Sequence, residues 1–148
     1  EIRDRETMES AIALAGTGHL CISTLHANNS AEAVERIVNL FPRDQHAQVF
    51  LDLSQYLRAI LAQRLVRGQD GRRVAAVEVM LNTPHIQELI KKGDVVGMKQ
   101  GLRGSTEPGM QSFDAALMML VRSGRVTMEE ALAHADSRSD LETRINFG

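Results

Sequence analysis

One seven-residue run, His19-Leu20-Cys21-Ile22-Ser23-Thr24-Leu25, constrains the fold of this chain more than any other feature. It is apolar, rich in small residues and free of glycine and proline, the pattern of a short buried strand. A lone strand leaves its backbone N–H and C=O groups without partners, so it needs neighbours. Glu6 to Ala15 before it has Met8, Ile12 and Ala15 at helical spacing, closed by Gly16 and Gly18. Its sheet partners are therefore expected upstream of Glu1. The chain opens on Glu rather than Met, inside what reads as a motif, and is expected to be a piece of something longer.

The order of elements after the run fixes the fold class. Asn28-Asn29-Ser30 can cap a helix over Ala31 to Phe41, with Val34, Ile37, Val38 and Phe41 as one apolar stripe, and Pro42 interrupts it. A longer helix is predicted from about Asp44 to Ala62, with Val49, Leu53, Leu57, Ile60 and Leu61 facing inward. Arg64-Leu65-Val66 and Val74 to Leu81 then read as two strands around a Gln69-Asp70-Gly71 turn. From there the pattern is helical. Thr83 and Pro84 start a helix through Lys92, Asp94 to Leu102 is a weaker one, and Phe113 to Val121 a strong one. Gly101 to Gly109 reads as a linker or mobile loop. Thr127 with Glu130, and Ser139 with Glu142, read as capping boxes of two last helices. The prediction is an α/β fold with a partial sheet over residues 1–81, followed by a small helical bundle over 82–148.

Composition excludes several classes. With 43% hydrophobic and 24% charged residues, the 148-residue chain is an ordinary globular sequence. No apolar run approaches the ~18 residues that span a bilayer, and the charged opening residues give no expectation of a signal peptide. A net charge of -2 argues against a dedicated nucleic-acid binder. The single cysteine, Cys21, makes neither an internal disulfide nor a cysteine zinc site, which fits a reducing cytoplasm.

Two constellations carry chemistry. Glu1-Ile2-Arg3-Asp4 places acidic residues at the end of a presumed strand, where an α/β nucleotidase keeps metal-linked and water-activating carboxylates; charged residues there are also commonly a solvated turn. His19 and His26 flank the apolar run. Seven positions apart in a regular strand, they would face opposite sides at ~23 Å, so they do not chelate one metal. A metal hydrolase built on His19, His26 and Asp4 is rejected for that reason. His19 reads as a corner residue satisfied by backbone, whereas His26 could polarise a terminal phosphate.

Together these motifs carry a family resemblance. Glu1-Ile2-Arg3-Asp4-Arg5-Glu6-Thr7 resembles the end of the Walker B segment of secretion-superfamily ATPases, and Gly18-His19 with Thr24-Leu25-His26-Ala27-Asn28-Asn29 resembles their histidine box. Arg36-Ile37, Phe41-Pro42 and Ala62-Gln63-Arg64-Leu65-Val66 match further landmarks. Assembly and type II members carry a four-cysteine zinc loop where this chain has Arg67-Gly68-Gln69-Asp70-Gly71. The chain therefore resembles the type IV pilus retraction ATPases, the PilT/PilU family, and Val74 to Val79 and Gly109 to Asp114 agree. In the helix Leu81 to Ile90, His85-Ile86-Gln87-Glu88 stands where the best-known retraction motor has Ala-Ile-Arg-Asn, a departure toward the PilU-like side.

The resemblance implies a RecA-like P-loop ATPase core and a hexamer driving pilus retraction and twitching motility with ATP and Mg2+. Implied partners are an inner-membrane platform protein and a paralogous retraction ATPase, with no nucleic acid and no membrane insertion. The implied location is the cytoplasm, peripheral to the bacterial inner membrane. It makes Glu1 the catalytic base and His26 a second catalytic residue near the terminal phosphate. Arg3, His19 and Arg64 match nucleotide-binding or sensing positions. Arg64 otherwise reads as a surface cation closing a strand. The Gly-x-x-x-x-Gly-Lys-Ser/Thr cradle is absent, so the 148 residues alone are expected to be inactive. The competing class is a non-catalytic interaction module of a pilus or secretion machine, with Met110, Met118 and Met119 in core or contact roles.

Overall fold

A computed structural model describes residues 1–147. Its first helix, α1 (Arg5–Gly16), begins where Asp4 Oδ1 accepts the Thr7 N–H at 2.8 Å, a side-chain N-cap. Before it, Glu1-Ile2-Arg3 buries Ile2 in the core and turns its two charged neighbours outward.

The run His19 to Leu25 does not form a strand, contrary to the sequence reading. Leu20 is 80% exposed and Ile22 86%. The segment is tied to the chain start by the Ile2 N–H, which donates to Thr24 C=O at 2.9 Å. The reason is the one that made the run informative: a ladder requires a neighbour, and the hairpin described below pairs with itself.

Helix α2 (Ser30–Asn39) is capped by Asn29, whose side chain accepts the Glu32 N–H, and it buries Ala33, Val34, Ile37 and Val38. A short 3-10 turn over Arg43–Gln45 leads into α3 (His46–Tyr56). The predicted helix to Ala62 stops early. Leu57 takes an extended ψ of 138°, and Ile60 and Leu61 lie in a strand instead. That strand is β1 (Ala59–Arg67), and it pairs antiparallel with β2 (Arg73–Leu81), from Ala59 opposite Leu81 to Arg67 opposite Arg73. Gly71, with φ of 78°, supplies the left-handed backbone that the turn requires. The inner face of the hairpin carries Ile60, Ala62, Arg64 and Val66 against Met80, Glu78, Ala76 and Val74. On the other face Leu61 is 71% exposed.

Thr83 caps α4 (Pro84–Lys92), with Pro84 in its first turn, and Gly93 at φ 68° ends it. Asp94 caps α5 (Val95–Arg103), which takes the first residues of the expected linker; the loop proper follows Arg103. Ser112 caps α6 (Phe113–Arg122), and Thr127 caps α7 (Met128–Ala133). The last helix, α8 (Arg138–Phe147), already includes Ser139, so that residue is not the cap predicted from its spacing to Glu142.

Two apolar clusters hold these elements. One joins Ile2, Met8 and the inner faces of α2, α3, α4 and α5 to Met80. The other joins Val66, Val74 and Ala76 to Phe113, Leu117, Val126, Ala131 and Leu141 of the C-terminal helices. The hairpin contributes to both, so each end of its inner face anchors a different set of helices.

Candidate nucleotide-side site

Glu1 is the meeting point of the chemistry-bearing residues. Its Oε2 accepts from Arg3 Nη2 at 2.6 Å, and its Oε1 lies 2.9 Å from His26 Nε2. Alternation along an extended segment accounts for the first contact, since residues i and i+2 share a side. The Ile2–Thr24 backbone bond accounts for the second, because it draws the segment before His26 against the chain start. The Arg3 hydrogen bond holds the Glu1 carboxyl below the usual glutamate range, with further lowering from His26. The same bond raises Arg3. Glu1 is thus a carboxylate at neutral pH, with an imidazole on one oxygen and a guanidinium on the other. Asp4 is also held low, by its hydrogen bonds with Thr7, and its carboxylate is engaged in capping α1.

The site lies on open surface. The Arg3 side chain is 76% exposed and that of His26 is 81%. A cleft of about 770 Å³ lies elsewhere, between α4, α5 and the loop that carries Ser105 and Glu107, and neither Glu1 nor His26 lines it.

The other two predicted residues do not join this group. His19 Nδ1 lies 3.0 Å from Thr17 Oγ1 at the end of α1, a local contact. Arg64 is turned inward. Its guanidinium donates to His134 C=O at 2.9 Å and pairs with Asp136 Oδ1 at 2.7 Å. It also reaches Asn28 C=O at 3.4 Å, and it lies over the Phe113 ring. The arginine binds β1 to the α7–α8 connection and to the loop that follows His26.

Glu78 escaped the sequence reading. It is 3% exposed on β2, and its Oε1 accepts both the Ser30 N–H at 2.7 Å and the Ser30 hydroxyl at 2.6 Å. Its signal was a carboxylate on the inward phase of an otherwise apolar alternation, a position that demands a buried partner.

Known proteins resemble this chain along its length. Residues 1–70 match the family model described as "Type II/IV secretion system protein". The chain is 54% identical to the type IV pilus ATPase PilU of Pseudomonas aeruginosa, over 100% of this chain and 39% of PilU. It is 38% identical to the type IV pilus retraction ATPase PilT of the same organism, over 88% of this chain and 38% of PilT. The crystal structure of the pilus retraction motor PilT with bound ADP superposes with a TM-score of 0.84 and 34% identity, covering 96% of this chain and 40% of that one. The chain therefore spans well under half the length of the relatives it matches. With identity to PilU sustained along its whole length and the PilT fold reproduced, the chain is a PilT/PilU-like portion of a type IV pilus ATPase.

Proposed function

We propose that these residues form the water-activating side of the nucleotide site of a motor that hydrolyses ATP to drive type IV pilus retraction and twitching motility. The observation that carries this reading is the convergence of Glu1 and His26, at 2.9 Å, in a PilT/PilU-like chain. Glu1 is the general base that orients the attacking water, its carboxylate held in place by Arg3. Arg3 fixes one carboxylate oxygen and leaves the other for His26, whose exposed ring is open to a terminal phosphate. We take the boundary between the part bearing this site and the helical part to lie at Leu81, between β2 and α4.

The residues present fit a nucleotide on one side only. They offer a carboxylate and an imidazole for the water and the γ-phosphate, while no glycine-rich cradle occurs in the sequence. Mg2+, when bound with ATP, supplies the charge that neutralises the phosphates. The relatives' names support an assembly built on a pilus, and we place the intact protein as a homo-hexamer in the cytoplasm at the inner membrane. Its partners there are a platform protein and a paralogous retraction ATPase. Among the described residues no helix is long and apolar enough to cross a membrane.

The test is steady-state ATP hydrolysis by the intact protein. Replacing a positioned general base removes ~10²–10⁴-fold in rate, so Glu1→Gln is expected to lose kcat on that scale while retaining ATP binding. Wild-type kcat in Glu1→Gln would overturn the reading in favour of a non-catalytic interaction module.

A further inference from the structure

A buried carboxylate is expensive unless its oxygens are satisfied, and removing its partner leaves that cost exposed. Glu78 sits on β2 between Ala76 and Met80, each 1% exposed, and both its recorded hydrogen bonds come from a single residue. That residue, Ser30, is itself fully buried and is the first of α2. The carboxylate therefore occupies the positive end of α2, where an anion gains from the aligned backbone N–H groups.

Arg64 approaches the same stretch from the neighbouring strand. Glu78 is paired with Ala62 and Arg64 with Ala76, so the two charged side chains share the inner face at diagonal positions. Arg64 reaches Asn28 C=O while Glu78 holds the Ser30 N–H and hydroxyl. Between them Asn29 caps α2 and the Asn28 N–H donates to the Glu32 carboxylate at 3.1 Å. The loop is thus tied to both hairpin strands and to its own helix. His26 precedes Asn28 by Ala27 alone. Its ring is 81% exposed, so its position follows from where the backbone on either side is pinned: Thr24 by Ile2 before it, and the Asn28–Ser30 stretch after it.

We propose that Glu78, supported by Arg64, is a positioning residue for His26: by clamping Ser30 to the hairpin it holds the histidine loop where the imidazole meets Glu1. The clamp acts through geometry, since the bonds converge on one oxygen. A displacement of about 1 Å at a reacting group can cost ~10²-fold in rate, which makes a distant anchor kinetically visible. The inference rests on the catalytic reading given above for its kinetic consequence, but the clamp itself is structural and can be measured separately.

The experiment compares Glu78→Leu, Glu78→Gln and the core control Leu141→Ala in the intact protein, with kcat, KM and amide hydrogen exchange read for each. Leu141 is fully buried in the other cluster, so its variant reports general destabilisation. Glu78→Leu is expected to speed exchange locally over residues 26–32 and to lower kcat at least about tenfold, with KM changed less than about twofold. Glu78→Gln keeps an acceptor oxygen in place and is expected to restore protection and most of kcat. Slow exchange over 26–32 in Glu78→Leu, or loss in Glu78→Gln as deep as in Glu78→Leu, would overturn the proposal. If His26→Ala leaves kcat intact while the exchange result holds, the catalytic reading fails and the clamp stands.

Discussion

The guanidinium of Arg64 lies over the ring of Phe113, 3.9 Å from its centroid, and beneath it the phenylalanine is fully buried. This stack welds β1 to α6, and the arginine's remaining contacts extend the weld to His134 and Asp136. An ammonium cannot reproduce a planar fork that bonds a carbonyl, a carboxylate and a π face together. Phe113→Ala is expected to cost ~3–5 kcal/mol through lost packing, and a double-mutant cycle between Arg64 and Phe113 should show ~0.5–2 kcal/mol of coupling. Denaturant unfolding of both single variants and the double variant measures it. An additive cycle would mean that the stack contributes nothing.

The Glu1 carboxyl titrates below its ordinary range chiefly because Arg3 bonds it. A lowered carboxyl contributes stability that is present above the unfolded pKa and fades as pH falls through the folded one. Arg3→Ala should move the Glu1 titration up toward the ordinary range and remove that part of the acid dependence. Carbon NMR of the labelled Glu1 carboxyl reads this directly. An unmoved titration would assign the lowering to another group.

Asp114 behaves in the opposite sense. It is 2% exposed at the start of α6, and burial pushes its carboxyl up against the pull of N–H donors from Asp136 and Ser137. A raised folded pKa means that the native state holds its proton longer than the unfolded chain. Stability from this group is therefore greatest below the unfolded pKa and falls as pH rises through the folded one. Asp114→Asn cannot titrate, so subtracting its profile from that of wild type should isolate a descending step above the ordinary aspartate range. Asp114→Ala leaves two backbone N–H groups without their acceptor and should cost ~1–3 kcal/mol per unsatisfied group. Thermal unfolding across pH tests both, and a rising difference profile would refute the sign.

What could be read from the sequence was what is local. The Thr83-Pro84 start of α4 and the Asp70-Gly71 turn are settled within a few residues, and the structure has both. The start of β1 was missed because Leu57, Ile60 and Leu61 fit a helical stripe as well as a strand, and only pairing with Val79 to Leu81 decides between them. Thr127 does cap α7, yet the Glu130 carboxylate leaves the box to accept the Arg67 N–H at 2.8 Å. In the candidate site, Glu1, Arg3 and His26 were named from the family resemblance, since charged residues after a strand are as readily a solvated turn. Glu78 was not, since its partner Ser30 lies 48 positions away and neither residue belongs to a chemical motif. The inward role of Arg64 was hidden in the same way, behind contacts to His134 and Asp136.

The last prediction concerns the 148-residue chain by itself. Affinity for a nucleoside triphosphate in P-loop proteins comes from backbone N–H groups of the glycine-rich loop and its lysine, which grip the phosphates. None of that is in this sequence, where the glycines from Gly101 to Gly109 lack the Gly-Lys-Ser/Thr ending. What remains is Glu1, an anion that repels phosphate, and Arg3 and His26, whose side chains Glu1 already contacts. One carboxylate without the opposing cradle orients a water but holds no nucleotide. Calorimetric titration of the chain with ATP and Mg2+ should therefore give no binding heat, and no phosphate release should be measurable above buffer. Binding at micromolar affinity would mean that the chain holds a nucleotide site its sequence does not declare, and the assignment of Glu1 to one side of a shared site would have to be abandoned.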